Sequence, residues 1–433
     1  MKTVLKSIVS RILIWESKKV LARYKPRVVA ITGSVGKTST KDVVAHVLGS
    51  RFKVRKSEKS FNSEIGLPLT VLGLPNAWSN PLGWVANILH GLSLILFPHD
   101  YPEMLVLEVG ADRPGDIRRV ATWLAPEMSI ITYIGALPVH VEFFPSPKDL
   151  ADEKGSLARA AGKGKILLLN NDDEVVRGMK EGSEATVLTY GFGPGADLAA
   201  SEQHLYYEKG GEHDVPAGTI FTVLYEGQSY AVRLPHGVGR QAVYGALAAF
   251  AAGTQLGIDP EHVIAALLTF EGPPGRMKLL PGIKKTLIVD DTYNASPVAV
   301  EAALEVLGGI EMPGRKIAVL GDMMELGKYT IDAHKAAGFQ VARNAEYLFT
   351  VGQRARFIAD GALAEGMKES KIKSYDDSRA AGLALQDFLK KGDLVLVKGS
   401  QYVRMERAVL EVMAEPERAE QLLVRQEKEW QNR

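Results

Sequence analysis

The stretch VVAITGSVGKTSTK, residues 28–41, decides the fold. An apolar run, Val28 to Ile31, leads straight into Gly33-Ser34-Val35-Gly36-Lys37-Thr38-Ser39, and the segment DVVAHVL beyond it repeats apolar residues at helical spacing. Strand, glycine loop and helix is the order in which backbone N–H groups turn inward on an anion. The helix N-terminus adds positive potential, a lysine reaches the outer phosphates, and a threonine hydroxyl meets Mg²⁺. The spacing here is GxxGKT; the longer GxxxxGK[ST] form would need glycine where Ile31 stands. A bare GKT in a loop says little, but one set between such a strand and such a helix reads as a nucleotide phosphate site.

Outward from this loop, short apolar runs alternate with helical patterns: Met104 to Glu108, Met128 to Tyr133 and Lys165 to Asn170. That alternation predicts a mostly parallel α/β sheet. Glu108 closes MLVLE just before Val109-Gly110-Ala111, and ligands collect at the C-terminal ends of parallel strands. Alone, such a glutamate is more often structural; beside a phosphate loop it becomes the expected metal carboxylate. Between Thr186 and Leu234 the texture changes to alternating, turn-punctuated segments, which predicts a small antiparallel β addition. A helix over Gln241 to Leu256 leads to the Gly/Pro-rich EGPPGR, residues 271–276, the expected domain boundary. Beyond it TLIVDD, KIAVLGD, EYLFTVG and DLVLVKGS predict a second, Rossmann-like α/β domain. The expected division is 1–25, 26–272 and 273–433. The charged tail from Glu415 reads as a solvated face.

At 433 residues and 46% hydrophobic content the chain can fill several cores. Lys+Arg 52 against Asp+Glu 51 leaves a net charge of +1, and no aromatic-interleaved basic patch appears, so no nucleic-acid partner is expected. With no cysteine there is no disulfide framework, thiolate metal site or cysteine nucleophile, a composition that fits a reducing cytoplasm. Residues 1–25 are not a signal peptide: Arg11 and Glu16 interrupt the apolar run and no small-residue cleavage site follows. Val4, Leu5, Ile8, Val9, Ile12 and Trp15 recur at helical spacing, with Lys2, Lys6, Arg11, Lys18 and Lys19 largely elsewhere, which predicts a basic amphipathic helix. It either docks on its own domain or lies on a membrane surface. The stretch Ala77 to Pro98 is apolar, yet its unbroken part falls short of the ~20 residues of a bilayer span. A buried helical hairpin is the plain reading, an interfacial membrane or lipid contact the sharper one.

In this order the segments resemble the Mur ligase family. The residues carrying the resemblance are ITGSVGKTSTK, SFNSEIGLPLT, LEVGADRPGDI, His140 and Glu142 of PVHVEFF, Lys154 of DEKGSL, Arg276 of GPPGRMK, DDTYNASP, LGDMMELG and VKGSQYVRMER. The resemblance covers roughly Val28 to Val412 and leans towards the type that adds D-alanyl-D-alanine to a UDP-N-acetylmuramoyl-tripeptide in peptidoglycan assembly. It implies a P-loop central domain that binds ATP, a C-terminal Rossmann-like domain, and catalysis in the cleft between them. ATP would phosphorylate a carboxylate, and an amine co-substrate would then displace the phosphate. Thr38 and Glu108 would hold one Mg²⁺ and His140 a second. Lys154 matches the lysine the family carries as a carbamate, a further metal ligand; by sequence alone it is a surface lysine beside Asp152 and Glu153. Asp291, Tyr293 and Asn294 would meet the nucleotide, Arg276 the phosphates, and Asn62, Lys398, Ser400 and Arg404 the substrates.

The chain also departs from that pattern. The phosphate loop arrives at Gly33 with only the N-terminal helix before it, where the family usually has a UDP-binding domain. Gln241, Ala242 and Gly245 stand where the family's adenine-contacting helix reads HNxxN, and residues 77–98 read as an apolar insertion. Together these suggest a small-molecule or lipid-linked peptide acceptor and peripheral placement at the inner face of the membrane. Two other readings stay open: a ligase of the same superfamily with another acceptor, such as a folate or a poly-amino-acid, and a nucleotide-binding, membrane-proximal scaffold without turnover.

Overall fold

The computed structural model describes residues 3–58, 64–78, 80–210, 213–427 and 430. Nine strands form the first sheet: β1 (Arg27–Thr32), β2 (Val54–Lys56), β3 (Met104–Glu108), β4 (Met128–Ile131), β5 (Ile166–Asn170), β6 (Thr186–Gly191), β7 (Leu198–Lys209), β8 (Asp214–Tyr225) and β9 (Gln228–Pro235), in the order β2-β3-β1-β4-β5-β6-β7-β8-β9. Strands β2 to β7 pair in parallel and only β7-β8 and β8-β9 are antiparallel. The expected β addition is therefore the far edge of the same sheet, and Thr186–Gly191 belongs to its parallel part.

Helices α1 (Thr3–Tyr24), α2 (Lys37–Gly49), α3 (Gly66–Leu72), α4 (Pro81–Leu96), α5 (Asp116–Leu124), α6 (Pro147–Arg159), α7 (Glu174–Gly178), α8 (Arg240–Gln255) and α9 (Pro260–Leu268) cover both faces. Alternation along β1 sets the layers: Val29 and Ile31 pack with α2, α8 and α9, while Val28 and Ala30 pack with α1, α3, α4, α5 and α6. The second sheet has the order β10-β11-β15-β12-β13-β14, built from β10 (Lys278–Gly282), β11 (Thr286–Asp291), β12 (Lys316–Gly321), β13 (Tyr347–Val351), β14 (Ile372–Tyr375) and β15 (Leu394–Lys398). Only β10 runs antiparallel. Helices α10 (Pro297–Gly309), α11 (Thr330–Asn344) and α12 (Arg356–Ala364) pack on one side of it, and α13 (Ser378–Phe388), α14 (Glu406–Val412) and α15 (Ala419–Leu422) on the other.

Three expectations change on contact with this structure. The N-terminal helix is docked, but by a face that shares only part of the predicted stripe: Val9 is buried with Leu13, Val20, Ser10, Glu16 and Ser17, whereas Ile8 and Trp15 face outward. At roughly 1.5–3 kcal/mol for each fully buried aliphatic side chain, the three inward residues suffice to hold α1 on its domain. The stretch 77–98 contains one helix rather than a hairpin. Asn80 caps α4 by accepting from Gly83 N–H, and Pro81 opens it. Gly91 passes through the helix without turning, because its missing side chain admits α1: a Cβ there would sit 2.3 Å from Glu16 Oε2. No helix among the described residues is long and apolar enough to cross a membrane. Finally, the tail is not a solvated face, since Leu423 and Arg425 are buried.

Candidate functional site

The strand order reverses around β1, with β3 on one side and β4 on the other, so a crevice opens beyond its C-terminal end. The loop from Gly33 to Thr38 lies there. Gly33 has no room for a side chain, because a Cβ would stand 2.0 Å from Thr132 Oγ1. Gly36 is left-handed at φ 87° and precedes α2 with no side-chain cap, which leaves the first N–H groups of the helix to whatever anion enters. Ser34 Oγ is likewise buried with no hydrogen-bond partner. The register of β1 and β3 sets Glu108 beside Ile31, two residues before the loop. Its N–H donates to Ser57 Oγ at 3.1 Å.

Lys37 Nζ lies 3.4 Å from Ser34 O, and burial pushes its pKa down against the opposing pull of Glu108. Lys154 is the larger surprise. It is 1% exposed in α6, and its Nζ donates to Gly33 O at 2.8 Å. Burial, and then the nearby Lys37, hold its pKa well below the usual lysine range. The surface lysine that the local sequence suggests is thus an interior one. Its neighbour Glu153 is interior too, accepting from the N–H groups of Ile117 and Arg118 at the start of α5.

The facing wall comes from the second domain. Asp291 and Lys398 end β11 and β15 and are register partners, so their side chains meet at 2.5 Å; Lys398 also donates to Asn294 O at 2.9 Å. Burial lowers the Lys398 pKa, opposed chiefly by Asp291. Arg276 bridges the two walls. Its Nη2 donates to Thr38 Oγ1 at 3.1 Å, its guanidinium lies 3.9 Å from the Tyr293 ring centroid, and its Nε is buried with no hydrogen-bond partner. His140, left-handed at φ 70°, reaches across as well, with Nδ1 2.6 Å from Glu325 Oε2.

These walls enclose a cavity of about 440 Å³, within the ~300–1,000 Å³ range of small-molecule sites. Gly36, Lys37, Thr38, Ser39, Glu108, His140, Arg276, Asp291, Tyr293, Asn294 and Lys398 all line it, as do Gln241, Ala242 and Gly245. Ser400 and Arg404 do not. Ser400 is buried and accepts from Met324 N–H, and Arg404 is buried beside Glu406 at 2.5 Å and donates to Trp430 O. Asn62 lies outside the described residues. Residues that the sequence reading left without a role also belong here: Asp112 and Gln401 line the cavity, and Glu325 Oε2 lies against His140 Nδ1. Arg425 of the tail is paired with Glu406 at 2.8 Å and donates to the carbonyls of Thr292 and Tyr293, so it fixes the loop that carries Tyr293. Their residue types gave no signal, although Asp112, Glu325 and Gln401 all fall in segments already singled out.

The donor set suits a magnesium–nucleotide complex. Among the described residues no three acidic or imidazole side chains converge to hold a metal unaided. Mg²⁺ at phosphate sites characteristically takes one or two carboxylates and draws its other ligands from phosphate oxygens and water. Thr38 and Glu108, at one lip beside open helix N–H groups, match that pattern.

The chain is similar over most of its length to proteins of known type. A model of the Mur ligase middle domain matches residues 31–82 and 85–253, and a model of the Mur ligase glutamate ligase domain matches residues 275–401. The UDP-N-acetylmuramoyl-tripeptide–D-alanyl-D-alanine ligase of Bacillus subtilis (strain 168) is 29% identical over 401 residues, spanning 92% of this chain and 79% of that protein. The protein of the same name from Mycobacterium leprae (strain TN) is 31% identical over 395 residues, spanning 87% of this chain and 71% of the relative. Among solved structures, the MurF ligase from Thermotoga maritima in complex with ADP aligns with a TM-score of 0.75 at 27% identity, covering 92% of this chain and 82% of that one.

Proposed function

The chain belongs to the Mur ligase family of ATP-dependent ligases, and we propose that it joins D-alanyl-D-alanine, or a single amino acid, to the peptide carboxylate of a muramoyl-peptide precursor of peptidoglycan. One observation carries the reading: a phosphate loop on one domain and the Arg276–Tyr293 pair on the other face each other across a single cavity.

In the proposed reaction the γ-phosphoryl group of ATP passes to a carboxylate oxygen and ADP is released from it. The amine nitrogen then attacks the acyl carbon, the C–O bond to phosphate breaks, and an amide, inorganic phosphate and a proton remain. The N–H groups at the start of α2 and Lys37 would hold the phosphates, and Arg276 would neutralise charge from the opposite wall. Tyr293 would offer its ring to the base and Asp291 its carboxylate to the ribose. Thr38 and Glu108 would hold one Mg²⁺ and His140 would help hold a second, the ions supplying charge neutralisation at the transferring group. Because the phosphate residues are split between two domains, closing the cleft would align the reactants and exclude water.

Lys154 would carry a carbamate, formed when its neutral amine bonds to CO₂ and loses a proton. Its burial and depressed pKa support this, since the neutral form is the nucleophile. The product places an anion next to Lys37 where two cations would repel. A lipid-linked acceptor is favoured over a free one by the apolar outward faces of α1 and α4, which would keep the ligase peripheral at the inner face of a membrane.

The test is phosphate release from Mg-ATP, alone and with UDP-muramoyl-tripeptide plus D-alanyl-D-alanine, with Lys37→Ala as the blank. The expected result is release only with both substrates and the matching amide by mass spectrometry. Release that ignores the amine, or no amide product, would overturn the proposed substrates.

A further inference from the structure

Helices α1 and α4 pack together on the outside of the first domain. Glu16 rests against Gly91, Arg23 Nη1 donates to Ile95 O at 2.6 Å, and Tyr24 OH donates to Leu94 O at 3.0 Å. Each helix spends one face on this contact and on the core: Val9, Leu13 and Val20 from α1, Trp84, Asn87, Gly91 and Leu94 from α4. The opposite face of α4 is apolar as well, which an ordinary surface helix avoids, and that of α1 mixes apolar with basic side chains. Leu82, Val85, Leu89 and Leu96 of α4 are 79, 53, 61 and 67% exposed, and Trp78 and Phe97 at its ends are both 62% exposed. On α1, Ile8 and Trp15 are 50 and 48% exposed. These are eight of the 17 large apolar side chains exposed among the described residues, gathered on two adjoining helices and their flanks. Clustering of that kind marks an interaction surface.

The charges around it choose the partner. Exposed Arg11, Lys18, Lys19 and Arg23 accompany the apolar residues of α1, while the one carboxylate of that helix, Glu16, is turned inward and fully buried. Residues 77–98 contain no acidic side chain at all. The next exposed carboxylate along the chain, Asp100, is already paired with Lys53. A protein partner would have to be apolar and acidic at once, whereas an anionic bilayer supplies both properties: an acyl boundary for Leu and Phe, an interfacial zone for Trp, and headgroup charge for Lys and Arg. Since no described helix can cross the membrane, the contact is one of lying on the surface.

We propose that the outward faces of α1 and α4 dock this protein on an anionic lipid surface. The docking stands apart from the ligase chemistry, and it holds whether the acceptor is lipid-linked or free. A basic residue near such a surface strengthens attachment roughly fivefold, so Lys18 and Lys19 together should matter by more than tenfold.

The experiment is flotation of the full chain with vesicles of phosphatidylcholine alone and with 30% phosphatidylglycerol, at low and high salt. The variants Lys18→Glu/Lys19→Glu and Leu82→Asn/Leu89→Asn are compared with wild type, and circular dichroism melting confirms that each is folded. Wild type should float with the anionic vesicles at least tenfold better than with the neutral ones. Either double substitution should lower that binding tenfold or more without moving the melting temperature. Wild type that stays unbound with both vesicles, or binding that neither substitution weakens, overturns the proposal. So does concentration-dependent self-association without lipid that the leucine substitutions abolish, because the face is then covered by a second copy. Phosphate release measured without vesicles reports on the ligase reading separately.

Discussion

The two walls of the cavity are held in different ways. On the first domain the phosphate loop is local: Gly33 and Gly36 set the turn, α2 starts at Lys37, and Glu108 arrives by the parallel register of neighbouring strands. On the second domain the loop 291–294 is held from a distance. Lys398 clamps it from β15, Arg425 reaches it from the tail, and Arg276 stacks on Tyr293 from the hinge side. The first wall is an anion cradle that a short stretch of chain can build alone. The second exists only when side chains more than a hundred residues apart in sequence have come together.

That difference can be broken from either side. The largest effect should come from the local wall. Lys37→Ala should lower kcat about 10³-fold, the upper end of the 10²–10³ range for losing one preorganised charge-stabilising group, with little change in melting temperature. If turnover survives within tenfold, the loop is not where the phosphates are handled.

Next in size is Lys154, which belongs to neither wall yet touches the loop through Gly33 O. Lys154→Ala should cost about 10²-fold in kcat, and wild type incubated with ¹³C-bicarbonate should show a carbamate carbon resonance that the variant lacks. An active Lys154→Ala protein, or no such resonance in active wild type, removes the carbamate from the mechanism.

The distant wall should respond more gently. Arg425→Ala should weaken Mg-ATP binding about tenfold, in line with ~1.5–3 kcal/mol for hydrogen bonds to a charged group, and Arg425→Lys should recover part of it. It should also lower stability, because Glu406 loses one of its two buried partners. A fall in melting temperature with unchanged nucleotide affinity would make the tail a structural strap only.

The smallest effect lies far from the cavity. Burial pushes the Glu16 carboxyl up to about 7, and neither oxygen has a hydrogen-bond partner. A carboxyl whose folded pKa is raised binds its proton more tightly in the native state. Stability therefore falls as pH rises from the ordinary carboxylate range towards 7, and the loss levels off above that. Glu16→Gln should match wild type in urea unfolding below pH 4.5 and be the more stable protein at pH 8. Equal midpoints at both pH values would mean that Glu16 is solvated.

Reading order explains what was legible. The strand–loop–helix and the strand-terminal Glu108 need only neighbours in sequence, so residue type and spacing revealed the fold class and brought the glycine loop and Glu108 to one crevice as expected. The depth of Lys154 did not follow, because Asp152 and Glu153 beside it look like surface residues; α5 turns Glu153 inward as a cap and takes Lys154 with it. Arg404 carried family resemblance, yet its guanidinium is committed to Glu406 and the Trp430 carbonyl rather than to the cavity. The N-terminal helix misled for another reason: it carries apolar residues on two faces, one of them shared with basic side chains, and periodicity cannot say which one a neighbour covers.

The sequence by itself therefore determined a mostly parallel α/β architecture, two sheets joined near residues 271–276, and a glycine loop suited to phosphate. Those depend on backbone geometry and on alternation along single elements. The tertiary structure alone decided which lysine is buried beside the loop, how Arg425 and Lys398 hold the opposite wall, and which apolar face of α1 remains in solvent. Each of these is a choice among long-range partners, and burial and charge pairing, which make that choice, are properties of the assembled chain rather than of any segment in it.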